Sequence, residues 1–458
     1  MGVSHESRHN ATDKLPMANV VGVKPFAPPE LIVQDELHLI TGPLGTIYGA
    51  YETIIQDLCA YTANGKKILP KYIVSTATIK NASEQIRCLY GRNRSMQFPA
   101  NGFEIGDSFF IKEIPTTEKP FRKYVGISAS GQSMKTTTLR VYAIVLQTVS
   151  ELMTDEKYKD AIDPYYTMVG YFNSIRELGG TVRLLQDDIP KRINRLKKKY
   201  KFKTTRYLNK KIEITSRIAS SKITEKLKEL EVSSDQKGAL DTAIATNMIA
   251  VGMDVDRLGL MSVMGQPKQN SEYIQATSRI GRQHPGLVFT MYNPYRPRDL
   301  SHYENFVGYH SQLYRYVEGT TATPFSARAR DRVLHALVIA ALRLEIPEYA
   351  DNMKAKDIGK LTVEQKDKLC NIILDRLAIV NPQARDETKD EIERFLGDWQ
   401  CIAAQSKKLV YYVGNKYLEK YNRLMNYYSE DCSITEKGTL NSMREVEASA
   451  TLFYWTED

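Results

Sequence analysis

The sequence predicts an α/β protein built on parallel sheets with helices on both faces, followed by a mainly helical C-terminal region. Short apolar segments alternate with longer segments of helical periodicity, the pattern of parallel strands joined by helices. These apolar segments lack polar alternation, as expected for strands buried on both faces. The predicted strands span residues 31–34, 72–75, 123–127, 166–171, 258–264 and 286–292. From Ser301 onward the periodicity becomes helical.

Two carboxylates directly follow the first predicted strand. Asp35 and Glu36 stand where parallel sheets place their ligand chemistry, at the carboxyl end of a strand. An aspartate there can hold Mg²⁺ through water, and the adjacent glutamate can orient or deprotonate an attacking water. A charge pair at a strand end is also common without any function, so Asp35-Glu36-Leu37-His38 is weak evidence by itself.

Thr76-Ala77-Thr78 closes the second predicted strand. A simple helix cap explains the hydroxyl groups of these residues, so by themselves they are weak evidence for a function.

Residues 191–211 form the most basic stretch of the chain. Aromatic Tyr200, Phe202 and Tyr207 are interleaved with cations, as in surfaces that follow a phosphate backbone and stack bases. The candidate phosphate contacts are Lys197, Lys198, Lys199, Lys201 and Lys203. A solvated insertion loop accounts for the same charges, and the sequence does not separate the two interpretations.

Two polar segments flank the apolar strand 258–264. The first is 245–254, A-T-N-M-I-A-V-G-M-D, and the second is 271–282, S-E-Y-I-Q-A-T-S-R-I-G-R. We predict a helix with Ser271 as its N-cap. Gln275, Ser278, Arg279 and Arg282 would then share one helix face. Arginines in such an array suit a phosphate oxyanion, although an ordinary basic helix face has the same composition.

Together these segments resemble the motifs of superfamily 2 helicases of the DExH type. D-E-L-H resembles motif II, T-A-T motif III, the 245–254 segment motif V, and Q-A-T-S-R-I-G-R motif VI, in which Ser278 replaces the usual glycine. The resemblance implies an ATP-binding hydrolase with tandem RecA-like lobes that uses ATP and Mg²⁺. It assigns catalytic roles to Asp35, Glu36, Gln275, Arg279 and Arg282, with Asp35 as the Mg²⁺ residue. It also assigns cofactor binding to His38, Gly252 and Asp254, coupling to Thr76, Ala77 and Thr78, and nucleic-acid binding to Thr246 and Asn247.

Longer segments resemble the large helicases of the bacterial DISARM anti-phage systems. They are L-I-V-Q-D-E-L-H-L-I-T-G-P-L-G-T, N-M-I-A-V-G-M-D-V-D-R-L-G-L-M, Y-N-P-Y-R-P-R-D-L-S-H-Y-E-N-F and S-M-R-E-V-E. The resemblance covers nearly all of residues 31–450 but only the C-terminal half or so of such a helicase. It implies a motor acting on DNA, single-stranded or at a duplex end, together with DISARM partners such as DrmB.

The phosphate-binding loop of these helicases has no counterpart here. No G-x-x-x-x-G-K-[ST] occurs in the 458 residues, and the motif II strand is almost the first predicted element. We therefore expect an incomplete first RecA-like lobe, a complete second lobe, and no ATP hydrolysis unless a P-loop-bearing helicase half is supplied. The missing P-loop strand is expected to lie between the strands of motifs II and III. The alternative is a non-catalytic nucleic-acid-binding or scaffold remnant.

Composition and the positions of proline and glycine residues predict the domain organisation of the chain. We expect a disordered segment 1–29, a partial first lobe 30–115, a second lobe 116–298 with the basic insertion 191–211, and a helical domain 299–458. A net charge of +9 favours an anionic partner. No apolar run approaches the ~18 residues of a membrane span. Five cysteines without a C-x-x-C pair suggest a cytoplasmic protein.

Overall fold

The chain folds into two compact units. The structure, a computed structural model, describes residues 27–76, 80–100, 103, 107, 109–115, 117–119, 121–215, 220–246, 255–428, 432 and 436–440. One unit combines the chain up to Met96 with the chain from Gly319 onward, and the other is Gln97–Glu318. Most of the predicted disordered segment 1–29 lies outside the described residues, as do residues 441–458, which include the S-M-R-E-V-E segment.

The first segment holds a small parallel sheet. Its elements are β1 (Leu31–Gln34), α1 (Gly42–Leu58), β2 (Tyr61–Ala63), β3 (Lys66–Ile68), β4 (Lys71–Val74) and α2 (Ala82–Tyr90). β1 pairs directly with β4 in a two-stranded parallel sheet. The expectation that a P-loop strand separates these two strands is therefore wrong. The pairing continues past both strands, because the Ser75 N–H donates to the Gln34 carbonyl at 2.9 Å.

One face of this small sheet is exposed. Leu31, Val33 and Ile73 are 49%, 66% and 50% exposed, whereas the alternate residues are half-buried. Within the part of the chain that the structure describes, the prediction that these strands are buried on both faces is thus wrong.

The second unit is a complete α/β layer structure. Its elements are β5 (Arg122–Ser128), α3 (Met134–Leu152), α4 (Lys159–Ile162), β6 (Met168–Phe172), α5 (Ile175–Arg183), α6 (Ile189–Tyr200), β7 (Lys211–Ile214), α7 (Ser220–Glu231), β8 (Thr242–Ala245), β9 (Leu260–Met264), α8 (Asn270–Thr277), β10 (Gly286–Tyr292), α9 (Pro297–Glu304) and α10 (Phe306–His310). The six strands are parallel in the order β5-β10-β9-β6-β8-β7.

Alternate residues of the central strands enter two separate cores. Val169 of β6 packs in one core with Tyr273 of α8, whereas Met168 packs in the other with Tyr142 of α3 and Ile193 of α6. The sheet therefore has helices on both faces, which confirms the predicted RecA-like fold class.

The first half of the basic stretch, up to Tyr200, belongs to a crossover helix, and residues 201–210 form an irregular link to β7. Helices α5 and α6 are joined through a π-helical turn at Leu184–Asp188, just before Pro190. Proline cannot donate the next backbone hydrogen bond, which accounts for the irregular turn. Ile189, Ile193 and Leu196 are buried, at a spacing that places them on one helix face.

The last segment is mainly helical, as predicted. It contains α11 (Ala327–Glu345), α12 (Val363–Val380), α13 (Arg385–Gln405) and the short strands β11 (Leu409–Val410), β12 (Asn422–Arg423), β13 (Met425–Tyr427) and β14 (Lys437–Thr439). Its core, which includes the fully buried Trp399, also takes in Ile47, Ala50 and Ile54 of α1. The beginning and the end of the chain therefore share one hydrophobic core.

Two arginines join α2 to α12 reciprocally. Arg87 of α2 donates to the Ile379 and Val380 carbonyls at 2.6 and 3.0 Å. Arg376 of α12 donates to the Leu89 carbonyl near the end of α2. Each cation thus satisfies carbonyls at the carboxyl end of the other helix, where the helix dipole favours positive charge.

Candidate functional site

The turn after β1 holds an ionised carboxylate in a fixed orientation. Asp35 is exposed, and its Oδ1 accepts hydrogen bonds from the Ser75 hydroxyl and from the Glu36 N–H, the latter at 2.9 Å. The Ser75 hydrogen bond is the main reason that the pKa of Asp35 lies below its usual value. Ser75 was not among the predicted site residues. Its position at the end of the strand that pairs with β1 is the signal that could have found it.

Glu36, His38 and Thr76 lie around the same turn. Glu36 has left-handed backbone angles (φ 54°, ψ 46°) and opens a 3-10 turn at Leu37–Leu39. Nδ1 of His38 lies 3.4 Å from Oε2 of Glu36 and 3.5 Å from Oγ1 of Thr76. The imidazole is nearly buried, with 6% exposure of the side chain. The structure therefore brings the predicted motif II residues and Thr76 together, while Ala77 and Thr78 lie outside the described residues.

The donor set at this turn suits a magnesium ion held through water. Among the described residues there is no group of three or more His, Cys, Asp or Glu side chains that could ligate a metal directly. Asp35 nevertheless presents an exposed, ionised carboxylate, and both of its described hydrogen bonds go to Oδ1. A single carboxylate of this kind fits Mg²⁺, which keeps most of its hydration shell in protein sites.

In the second unit, the motif V residue Thr246 lies at the carboxyl edge of the sheet. It follows β8 directly and is 8% exposed. Asn173 follows the neighbouring strand β6, and its amide donates to the Met264 and Gly265 carbonyls at 3.0 and 2.9 Å. Asn247, Gly252 and Asp254, to which the sequence assigns nucleic-acid or cofactor contacts, lie outside the described residues.

The motif VI arginines are not on the predicted helix. Helix α8 ends at Thr277, so Arg279 and Arg282 lie in the turn that leads to β10. Gly281 shapes this turn, because it has a φ of +73° and a Cβ there would lie 2.6 Å from the Gly286 nitrogen. Gln275 remains on the helix and is buried, with 7% exposure.

Ser271 is not the N-cap of this helix. The helix starts at Asn270, and the N-cap residue is Gln269. The carboxylate of Glu318 accepts the Asn270 N–H, with 2.9 Å to each oxygen. A distant acidic side chain therefore replaces the expected local cap, as the partial positive charge of a helix N-terminus favours.

Arg282 is paired with the end of the motif V segment. Nη1 of Arg282 lies 3.9 Å from Oδ1 of Asp256, and Nε2 of Gln283 donates to Oδ2 of Asp256 at 2.8 Å. Asp256 was not predicted from the motifs. It shows that the residues after motif V and those of motif VI meet at the amino edge of the sheet, where β9 and β10 begin.

The five candidate lysines lie away from Thr246. Lys197, Lys198 and Lys199 are in the last turn of α6, and Lys201, in the left-handed conformation, is its C-cap. The Lys203 N–H donates to Glu151 near the end of α3. The chain then enters the amino end of β7, so these residues lie at the edge of the sheet opposite to Thr246. Lysines in a last helical turn also interact favourably with the helix dipole, which is their purely structural role.

We predict that the five lysines contact phosphates, and that reversing their charges will flatten the salt dependence of DNA binding. Changing Lys198, Lys199 and Lys203 to glutamate should lower the slope of log K against log salt by about 0.7 for each lost contact with a single strand. Fluorescence anisotropy with a single-stranded oligonucleotide over a salt series measures this slope. Glutamate at Lys354, Lys360 and Lys368, in the helical segment, is the matched control. An unchanged slope in the Lys198, Lys199 and Lys203 variant would mean that these lysines only interact with the dipole of α6 and do not contact phosphates.

Comparisons with known proteins show which proteins the chain is similar to. A family model described as the helicase conserved C-terminal domain matches residues 188–284, which include α6 and the motif VI turn. This match covers part of the second unit and agrees with the resemblance to superfamily 2 helicases that the motifs predict. The chain is 50% identical over 457 residues to the DISARM protein DrmA of Bacillus paralicheniformis, covering 99% of this chain and 40% of DrmA. The predicted resemblance is confirmed, and the chain spans 40% of that relative's length.

Solved helicase structures are similar at lower identity. MrfA bound to DNA has 16% identity and a TM-score of 0.43, covering 69% of this chain and 34% of MrfA. The Mycobacterium smegmatis helicase Lhr, bound to single-stranded DNA and AMP-PNP, has 12% identity and a TM-score of 0.44, covering 78% of this chain and 38% of Lhr.

Within the described residues, none of the helices has the length and apolar character needed to cross a membrane.

Proposed function

We propose that the chain is the part of a DrmA-type DNA helicase or translocase that carries motifs II to VI, acting in bacterial anti-phage defence. In this proposal it hydrolyses ATP only together with a P-loop-bearing helicase half, and it works on DNA with further DISARM proteins such as DrmB. The identity to DrmA supports the family role. The DNA-bound states of MrfA and Lhr belong to those proteins, and DNA binding by this chain is part of the proposal.

The observation that carries the proposal is the arrangement of Asp35, Glu36 and Ser75. Asp35 is ionised and held by Ser75 at the carboxyl end of β1. Asp35 would hold Mg²⁺ through water, and Mg²⁺ neutralises charge on the phosphate oxygens of ATP. Glu36 would orient or deprotonate the attacking water. Positioning is most of the catalysis in phosphoryl transfer, so these residues need phosphates held in line by a P-loop.

The proposal is tested by complementation. The purified chain alone should show no DNA-stimulated ATP hydrolysis above a Glu36→Gln variant. Addition of a P-loop-bearing helicase half should restore hydrolysis, and Glu36→Gln should then lower kcat by about 10²- to 10⁴-fold, the usual contribution of a general base. Glu30→Gln, an exposed glutamate just before β1, is the matched control.

Two outcomes separate this proposal from its alternative. Turnover by the chain alone that is abolished by Glu36→Gln would contradict the need for a P-loop half. Tight DNA binding without hydrolysis in any combination would instead identify a non-catalytic nucleic-acid-binding or scaffold protein.

A further inference from the structure

The motif II turn is bound by a buried glutamine of α2. Gln85 is 1% exposed, and its Nε2 donates to the Leu37 carbonyl at 3.2 Å and to the Ile40 carbonyl at 2.9 Å. The Thr320 hydroxyl donates to Oε1 of Gln85 at 2.6 Å. Because carbonyl oxygens can only accept hydrogen bonds, the amide NH₂ group must face the Leu37 and Ile40 carbonyls, which leaves Oε1 to accept from the Thr320 hydroxyl. Gln85 therefore ties the residues that follow Glu36 to the start of the helical segment.

The residue at the head of this turn has an unfavourable backbone conformation. Glu36 is left-handed, with φ 54° and ψ 46°, and it is neither glycine nor asparagine. An L-residue is disfavoured there because its Cβ approaches the following carbonyl oxygen, and such a conformation persists only when its surroundings enforce it. Outside the turn, the Leu37 N–H donates to the Ser75 carbonyl at 2.9 Å, and the turn has two backbone hydrogen bonds of its own. The Leu39 N–H donates to the Glu36 carbonyl and the Ile40 N–H to the Leu37 carbonyl, both at 2.9 Å.

We propose that Gln85 and Thr320 are positioning residues that hold Glu36 in its left-handed conformation. By binding the Leu37 and Ile40 carbonyls, Gln85 stabilises the backbone of the turn. This backbone keeps the Glu36 carboxylate beside His38 and next to Asp35. The catalytic meaning of this role rests on the proposed function, in which Glu36 acts on the attacking water. The structural role of Gln85 does not depend on the proposed function, because Glu36 has its left-handed conformation without any partner protein.

The first arm of the test measures hydrogen exchange in the purified chain. Gln85→Met keeps the length of the side chain and removes the amide, and it should accelerate exchange of the Leu39 and Ile40 amides about tenfold, the factor set by the cost of a left-handed L-residue. In a Glu36→Gly background, which carries no such cost, the same substitution should accelerate exchange by less than about twofold. Equal acceleration in the wild-type and Glu36→Gly backgrounds would overturn the proposal. It would show that the effect of Gln85 does not depend on which residue occupies position 36.

Two further variants keep the test decisive if Gln85→Met folds poorly. Thr320→Val removes only the hydroxyl and should accelerate the same amides, whereas Thr320→Ser retains it and should match the wild type. Gln56→Met is the matched control, since Gln56 is a buried glutamine that binds the Tyr90 carbonyl and Arg376, away from the turn. If Gln56→Met accelerates Leu39 and Ile40 as much as Gln85→Met does, the positioning role is wrong.

The second arm uses the chain complemented by a P-loop-bearing half. Gln85→Met and Thr320→Val should lower kcat for ATP hydrolysis at least tenfold with little change in KM, and Thr320→Ser should restore kcat. An unchanged kcat would show that the turn does not position Glu36 for the reaction. If the wild-type complex itself is inactive, the proposed function fails, and the exchange measurements still decide whether Gln85 holds the turn.

Discussion

Replacing Arg282 by alanine should lower DNA-stimulated ATP hydrolysis of the complemented helicase by about 10³- to 10⁵-fold. An arginine that contacts the transferred phosphoryl group contributes a factor of this order, because it stabilises charge that develops in the transition state. Arg282 carries a guanidinium that is about one-third exposed and lies 3.9 Å from Asp256. The pairing places the guanidinium at the surface of the sheet edge, where it can exchange a carboxylate partner for a phosphate.

Two variants distinguish this role from a loss of charge. Arg282→Lys should remain impaired by at least tenfold, because an ammonium lacks the planar fork that matches a phosphate. Arg296→Ala removes another exposed arginine of the same unit, paired with Glu177 at 3.3 Å, and should leave kcat unchanged. Steady-state kcat at saturating ATP and DNA is the measurement, and wild-type turnover by Arg282→Ala would show that motif VI acts through another residue.

Replacing Asp241 by asparagine should destabilise the second unit by about 3–5 kcal/mol, the usual cost of breaking a buried ion pair. Asp241 and Arg206 pair at 2.9 Å with side chains only 6% and 4% exposed. The same carboxylate accepts the Asn209 and Lys210 N–H groups at 2.8 and 2.9 Å. The Arg206 guanidinium stacks on Tyr166, 3.6 Å from the ring centre, and would be left buried without a counter-charge.

Hydrogen exchange of the β8 amides reports this loss, because β8 begins immediately after Asp241. Protection of Ala243 and Ile244 should fall by the factor that corresponds to the lost stability. Asp187→Asn breaks an ion pair with Lys191 that is largely exposed, and protection should not change measurably. A double variant with leucine at both Arg206 and Asp241 should recover part of the loss, since no charge then stays buried unpaired. Full protection in Asp241→Asn would mean that the hydrogen bonds from the Asn209 and Lys210 N–H groups are sufficient without the ion pair.

Local patterns predicted four of the six strands of the second unit, whereas β7 and β8 were not predicted. The apolar runs around Val33, Val169 and Val263 lie in strands, and Asp35 stands at a carboxyl end as expected. In the basic stretch, attention to the charges alone missed the apolar residues of a helix. Ile189, Ile193 and Leu196 recur at helical spacing, and this spacing was a readable signal of the crossover helix.

Other features depend on contacts between residues that are distant in sequence. The N-terminus of the helix before motif VI is satisfied by Glu318 in place of Ser271, and the turn after this helix is held by a hydrogen bond from the Gly281 N–H to the Leu258 carbonyl. Neither contact leaves a trace in a local window of sequence. Strand order is equally non-local, which is why the direct pairing of β1 with β4 could not be derived from the order of the motifs.

The shared core of the first and last segments has a consequence for synthesis on the ribosome. Gln97–Glu318 is complete in sequence before α11 to α13 have been made, whereas α1 must wait for those helices to bury Ile47, Ala50 and Ile54. At roughly 5–20 residues per second, translation from α1 to the end of α13 takes roughly 17–70 s. During that interval the apolar side of α1 lacks its partners from α11 to α13, so we expect this face to be available to a chaperone.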